Sequence, residues 1–234
     1  MQGFLIWLKS LLLKKSFADT VVFPMMVFEL VFIPLASILT LILYSREKGN
    51  INFPVFSFIR GAVLFFPGIA IFGIFQGFFP MNFSTIGMFF HYFGRDFLLH
   101  MALATAAFTI VERRPGKNSQ DPDIHSAVAF FSGYFMFVSF FYFLENFSHL
   151  DYYVLFLLPI LHFGTVLILG TALTQFFAQD GLFRIIMAVT VAATPFLFAL
   201  SGVFAMTNIP VFAILCTCIF AAASGFFYYR FKEY

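Results

Sequence analysis

The sequence predicts an all-α, polytopic helical membrane protein. Three observations carry that class. First, Gly61–Phe79, Ala127–Leu144, Tyr152–Phe177, Ile185–Ala205 and Pro210–Tyr229 run almost without charge. A stretch of about 20 apolar residues crosses the hydrocarbon core of a bilayer as one helix. Second, only 10% of the 234 residues are charged and 62% are hydrophobic, whereas soluble domains carry about 25% charged residues. Third, the connections between the runs are too short to fold as soluble domains. A single transmembrane domain over 19–234 is therefore expected, preceded by an interfacial segment over 1–18.

Two further hydrophobic segments differ from these five. Thr20–Ser45 is interrupted by Pro24 and Pro34, and Thr85–Val111 carries ionisable residues along its length. The chain thus reads as six full transmembrane helices plus a Pro-broken, re-entrant N-terminal segment, or else as seven spans. The 41 phenylalanines suit outward faces, because a Phe ring is tolerated against lipid. The lipid bilayer is the first partner implied. A net charge of +2 with no basic cluster gives no sign of nucleic-acid binding.

Orientation follows from Lys and Arg, which collect in cytoplasmic loops. Arg46, Lys48 and Arg60 lie before the first charge-free run, Arg113, Arg114 and Lys117 in 112–126, Arg184 in 178–184, and Arg230 and Lys232 at the C-terminus. The intervening turns 80–84, 145–151 and 206–209 have neither residue. The pattern predicts a cytoplasmic C-terminus in a cell or inner membrane. Lys9, Lys14 and Lys15 fit it if Thr20–Ser45 enters and leaves on one side, with Phe4–Phe17 and Trp7 at the headgroup level. Those lysines follow the apolar residues of Met1–Phe17, so no cleavable signal peptide is read there. Asn82-Phe83-Ser84 and Asn146-Phe147-Ser148 both fall in predicted outer turns. They read as turn formers, and as a hint of a parallel repeat of hairpins or a chance match in a Phe-rich chain.

The third hydrophobic segment, Thr85–Val111, holds the candidate site. His91, Arg95, Asp96 and His100 lie inside it. Charges within a span are costly and normally face protein or water. On an α-helical wheel, Ser84, Thr85, His91, Tyr92, Arg95, Asp96 and His100 share one half, while Ile86, Phe90, Phe93, Gly94, Phe97 and Met101 share the other. Phe90, Phe93 and Phe97 are therefore expected against lipid or a loosely packed neighbour. Partners from other segments are Glu29, Gln76, Glu145 and His162, with Glu29 or Asp96 expected to neutralise Arg95. The alternative places His91, Arg95 and Asp96 at the outer interface, where Arg snorkels and Asp caps the helix.

Other signals are weaker. Gly73-x-x-x-Gly77, Ala102-x-x-x-Ala106 and Ala221-x-x-x-Gly225 suggest close helix approach, and Pro67, Pro159 and Pro195 suggest bends. Cys216 and Cys218 point apart on one helix and cannot bridge. Ala199-Leu200-Ser201-Gly202 approaches a rhomboid protease motif, but its first Gly is Ala and the last span has no His. No HExxH, P-loop or aspartate-rich motif occurs, so enzymatic activity is not indicated and no catalytic residue, metal or cofactor is expected. Two histidines in different spans could ligate a haem, but no second matched pair lies at usable spacing. Six spans with short loops and both ends inside is a layout shared by the permease subunits of some ABC exporters and by Yip1-like proteins, though no motif ties the chain to either. The functional expectation is a small transporter or permease subunit, with a homo-oligomer or a partner membrane subunit. The alternative is a non-catalytic organiser whose buried charges lock helix packing.

Overall fold

A computed structural model describes residues 52–79, 84–112, 123–145 and 152–231. Thr20–Ser45, the 1–18 segment, Glu29 and the Asn146–Ser148 turn lie outside the described residues, as do Arg113, Arg114, Lys117 and Lys232. Among the described residues six helices are long and apolar enough to cross a membrane, and the protein is an all-α polytopic membrane protein. The first is α1, Asn52–Phe75, ending in a 3-10 turn, Gln76–Phe78. The second is composite: α2 (Thr85–Phe90), a π-helical segment (His91–Leu99) and α3 (His100–Glu112). Then come α4 (Ile124–Glu145), a short π segment (Tyr153–Leu157) leading into α5 (Leu158–Ala178), α6 (Leu182–Met206) and α7 (Pro210–Phe231).

Polar residues decide which helices take the middle. α4 and α5 carry Ser126, Ser132, Ser139, His162, Thr165, Thr171 and Gln175, all buried. Polar side chains are costly against acyl chains and normally face protein. Ser132 and Thr165 instead donate to carbonyls one turn back, Val128 at 2.7 Å and Leu161 at 2.8 Å. Within their apolar windows, 72% of the span Ile124–Glu145 and 83% of Tyr153–Ala178 is buried, against 22% for each of the outermost spans. α1 and α7 show lipid-type surfaces instead: Phe56, Val63, Phe66 and Ile74 on one, Val211, Ile219 and Phe226 on the other.

α1 lies against α4 through reciprocal glycines. A Cβ on Gly61 would collide with the Phe130 carbonyl, and one on Gly133 with the Phe58 carbonyl. Only glycine lets the backbones approach that closely. The small-residue motifs expected to do this work do not. Gly73, Gly77 and Gly225 have open space where a Cβ would sit, Ala102 and Ala106 are exposed, and Ala221 is half-buried. The isolated glycines, set among Phe-rich sequence, form the contact instead. α1 also starts earlier than its charge-free run, so Arg60 lies within the helix rather than before it, with its side chain exposed.

Pro67 and Pro195 lie inside α1 and α6, and Pro159 sits in the first turn of α5, just after the π segment. Pro159 thus lies within the continuous span Tyr153–Ala178, where its missing N–H leaves a gap in the ladder beside the π segment. Ser84 behaves as expected of a turn former: its hydroxyl accepts from the Gly87 amide at 3.0 Å and caps α2. α6 ends in a Schellman turn. Asn208 adopts φ 57°, the Ile209 amide bonds the Phe204 carbonyl at 2.9 Å, and the Asn208 amide bonds Ala205 at 3.2 Å. Cys216 is half-buried and Cys218 exposed, both free thiols.

Candidate functional site

The π-helical segment builds the site. Its i to i+5 bonding winds the chain more slowly than an α-helix. Residues six apart in sequence therefore land on faces that a continuous α-wheel would not assign. Phe97 is the clear case. It was expected against lipid or a loosely packed neighbour, but it is fully buried and its ring centre lies 4.2 Å from that of Phe198. Phe93 is half-buried beside Phe89 and Phe196, and only Phe90 is largely exposed. Gly94 lets the segment close on the end of the first span, since a Cβ there would strike the Phe79 ring.

The same winding gathers the ionisable residues. His91 Nδ1 lies 2.9 Å from the Phe79 carbonyl. A carbonyl only accepts, so Nδ1 carries the proton and donates. In the neutral ring Nε2 is then an acceptor, and Arg95 donates to it at 3.3 Å. The Asp96 carboxylate stands 4.0 Å from the same nitrogen and 3.5 Å from the Arg95 guanidinium. His91 thus has Arg95 and Asp96 together on one face, which a π turn permits.

Arg95 reaches out of its own helix. It forms a short ion pair with Glu145 at the end of α4. The guanidinium also lies over the Phe72 ring of α1, 5.8 Å from its centre. Arg95 was expected to find Glu29 or Asp96. Asp96 is in reach, Glu29 is outside the described residues, and Glu145 pairs with the guanidinium as well. The Arg95 side chain is 15% exposed, Asp96 8% and Glu145 37%. Glu145 is therefore the wet end of the cluster and Asp96 its dry end.

From Asp96 the polar contacts continue inward. The Tyr142 hydroxyl donates to its carboxylate at 2.9 Å. The Tyr142 ring contacts two fully buried histidines, His100 at 5.6 Å and His162 at 6.0 Å between ring centres. His100 stacks on the other side against Phe72, at 4.2 Å. His162 shares a 2.5 Å hydrogen bond between its Nδ1 and the Ser139 hydroxyl, and stacks on Phe198. Both ring nitrogens of His100, and Nε2 of His162, have no hydrogen-bond partner among the described residues. An unsatisfied buried polar group costs about 1–3 kcal/mol, so three such nitrogens side by side need a reason.

His91, Arg95, Asp96, His100 and His162 are thus brought into one cluster. Tyr142, Ser139 and Phe72 belong to it and were not singled out from sequence. A signal existed: Ser139, Tyr142 and Glu145 recur every three residues and form one polar stripe near the end of α4. The described cluster contains one fixed cation, Arg95, and two carboxylates, Asp96 and Glu145. With both carboxylates ionised and the imidazoles neutral, it carries one uncompensated negative charge. Binding one proton or one cation would balance it.

Ser201, of the protease-like stretch, is bound to Thr217 at 2.8 Å and to the Ala213 carbonyl at 3.2 Å. It ties α6 to α7, and no histidine meets it in those contacts. No protein-family model, no curated protein and no solved structure matches the chain.

Proposed function

We propose that the protein is a small membrane transporter or permease subunit that moves protons through this cluster. One observation carries the reading: ion pairs and a hydrogen bond link half-exposed Glu145 through Arg95 and Asp96 to Tyr142, whose ring packs on His100 and His162, and these imidazoles keep ring nitrogens with no hydrogen-bond partner among the described residues. Glu145 and Arg95 would form the entrance. Asp96 would accept the proton that balances the cluster. For the proton to go further, protonated Asp96 would donate to the Tyr142 oxygen while the Tyr142 hydroxyl proton passes, through a bridging water, to an imidazole nitrogen that has no partner among the described residues. Histidine and carboxylate chains inside membranes serve proton relays in this way. The same reading puts loops 112–126 and 178–184 and the C-terminus on the cytoplasmic side, and leaves the apolar faces of α1 and α7 for lipid, a second copy or a partner subunit.

The test is proton flux. Purified protein is placed in liposomes loaded with a pH-sensitive dye, and a potassium gradient with valinomycin supplies the driving voltage. The wild type should acidify or alkalinise the lumen faster than protein-free liposomes. His100→Phe should abolish the difference while leaving the thermal melt intact, since Phe keeps the stack on Phe72 and removes two unpaired nitrogens. Wild-type liposomes that match empty ones, or His100→Phe that conducts as well as wild type, would overturn the relay.

The organiser reading has one observation of its own. The Arg95–Glu145 and Tyr142–Asp96 contacts both clamp the second span to α4. In that case charge would serve packing alone, and neutral replacements that restore packing would restore all activity of the protein.

A further inference from the structure

Away from the charged cluster, an outward-facing cavity of about 410 Å³ lies along the lipid side of α6. Phe176 of α5 and Ile185, Ala188, Val189 and Ala192 of α6 line it, with Arg184 at one end. Ala188 and Ala192 are one turn apart, and their small side chains form the floor. Ile185 and Val189 stand beside them as exposed apolar walls. From Arg184 to Ala192 the helix rises about 12 Å, close to the depth of one leaflet of a hydrocarbon core about 30 Å thick.

The cation at the end of this groove is held in place. The Arg184 guanidinium rests over the Phe176 ring, 4.4 Å from its centre, and its side chain is 46% exposed. Asp180, fully exposed, is 4.0 Å away. An exposed pair at that distance is weak and screened, and a guanidinium has donors to spare for a second anion. Arg184 also lies in the first turn of α6, where the helix end adds partial positive charge. An apolar trough that opens on the bilayer and ends in an interfacial cation matches one ligand chemistry, an acyl chain with an anionic phosphate headgroup.

We infer that this groove is a binding site for an anionic phospholipid, with the phosphate on Arg184 and one acyl chain along Ile185–Ala192. The Lys/Arg pattern predicts that this end faces the cytoplasm, where anionic lipids concentrate. The inference does not depend on proton movement through the Arg95 cluster.

The experiment compares two lipids on the detergent-purified full chain, dioleoyl phosphatidylglycerol and dioleoyl phosphatidylcholine, by native mass spectrometry and by thermal shift. Wild type should retain phosphatidylglycerol in preference to phosphatidylcholine. Arg184→Gln should weaken phosphatidylglycerol by about fivefold, the factor expected of one basic side chain near an anionic surface, and leave phosphatidylcholine unchanged. Asp180→Asn should strengthen phosphatidylglycerol, because a competing carboxylate is gone. Ala188→Phe, which fills the floor from an exposed position, should weaken both lipids without lowering the melt of the lipid-free protein. Equal binding of the two lipids overturns the site. So does a preference for phosphatidylglycerol that survives Arg184→Gln and Ala188→Phe.

Discussion

Truncating Arg95 should destabilise the protein far more than neutralising its closest partner. Arg95→Ala removes the ion pair with Glu145, the contact with Asp96 and the hydrogen bond to His91 in one step. Asp96 is then left buried, its side chain 8% exposed, with the Tyr142 hydroxyl as its remaining strong donor. Breaking a buried pair from one side costs about 3–5 kcal/mol. The retained Tyr142 bond sets the expectation at the lower end, about 3 kcal/mol. For a chain of this size that is a fall in Tm of about 6–12 °C. Glu145→Gln behaves differently, because the Glu145 side chain is 37% exposed and water solvates what is lost. It should cost no more than about 1 kcal/mol, although its contact is the shorter one. Asp96→Asn keeps the shape and loses the charge. In the double variant Arg95→Ala/Asp96→Asn no buried charge is stranded, so the two effects should fall short of additive by about 1–3 kcal/mol. Thermal unfolding of the four proteins in one detergent completes the cycle. A Glu145→Gln melt as low as that of Arg95→Ala, or strict additivity in the double variant, would refute this account of which carboxylate Arg95 protects. Proton flux through the same double variant separates the roles of the charges: recovered stability with lost flux fits a relay, and flux that survives the loss of both charges means that they serve packing alone.

Three further outcomes follow from the packing. Gly61→Ala and Gly133→Ala should each destabilise by about 1–3 kcal/mol, because backbone carbonyls obstruct the new methyl; Gly73→Ala and Gly77→Ala, with open space at the Cβ, should stay within about 0.5 kcal/mol in the same melts. Phe97→Ala should cost about 3–5 kcal/mol as a full core truncation, while Phe90→Ala, largely exposed, should leave the melt nearly unchanged; the reverse order would restore the continuous α-helical wheel. For topology, single cysteines at Ser119 and Lys232 should react with membrane-impermeant reagent only after the cells are opened, and cysteines at Ser84 and Ser148 in intact cells; the opposite pattern inverts the orientation.

Hydropathy, read along the chain, determined the class. Twenty apolar residues in a row have one stable arrangement in a bilayer, a helix that satisfies its own backbone, so five of the described spans and the charged one were legible without coordinates. The residue types of the site were legible too, since His91, Arg95, Asp96 and His100 violate the composition of their own span. What remained hidden depends on winding and distance. A π segment changes the azimuth of every residue after it, and nothing in the apolar pattern of Thr85–Val111 announces one; Phe97 therefore turned inward. Partner choice was equally closed to inspection. Glu145 lies 50 positions from Arg95, and only the antiparallel packing of α4 against the second span brings the two together. The same holds for Gly61 on Phe130 and for Tyr142 between two histidines. A one-dimensional pattern reports which face a residue prefers. Which groups share that face across helices is set by how closely the backbones approach, and that is decided only when the bundle closes.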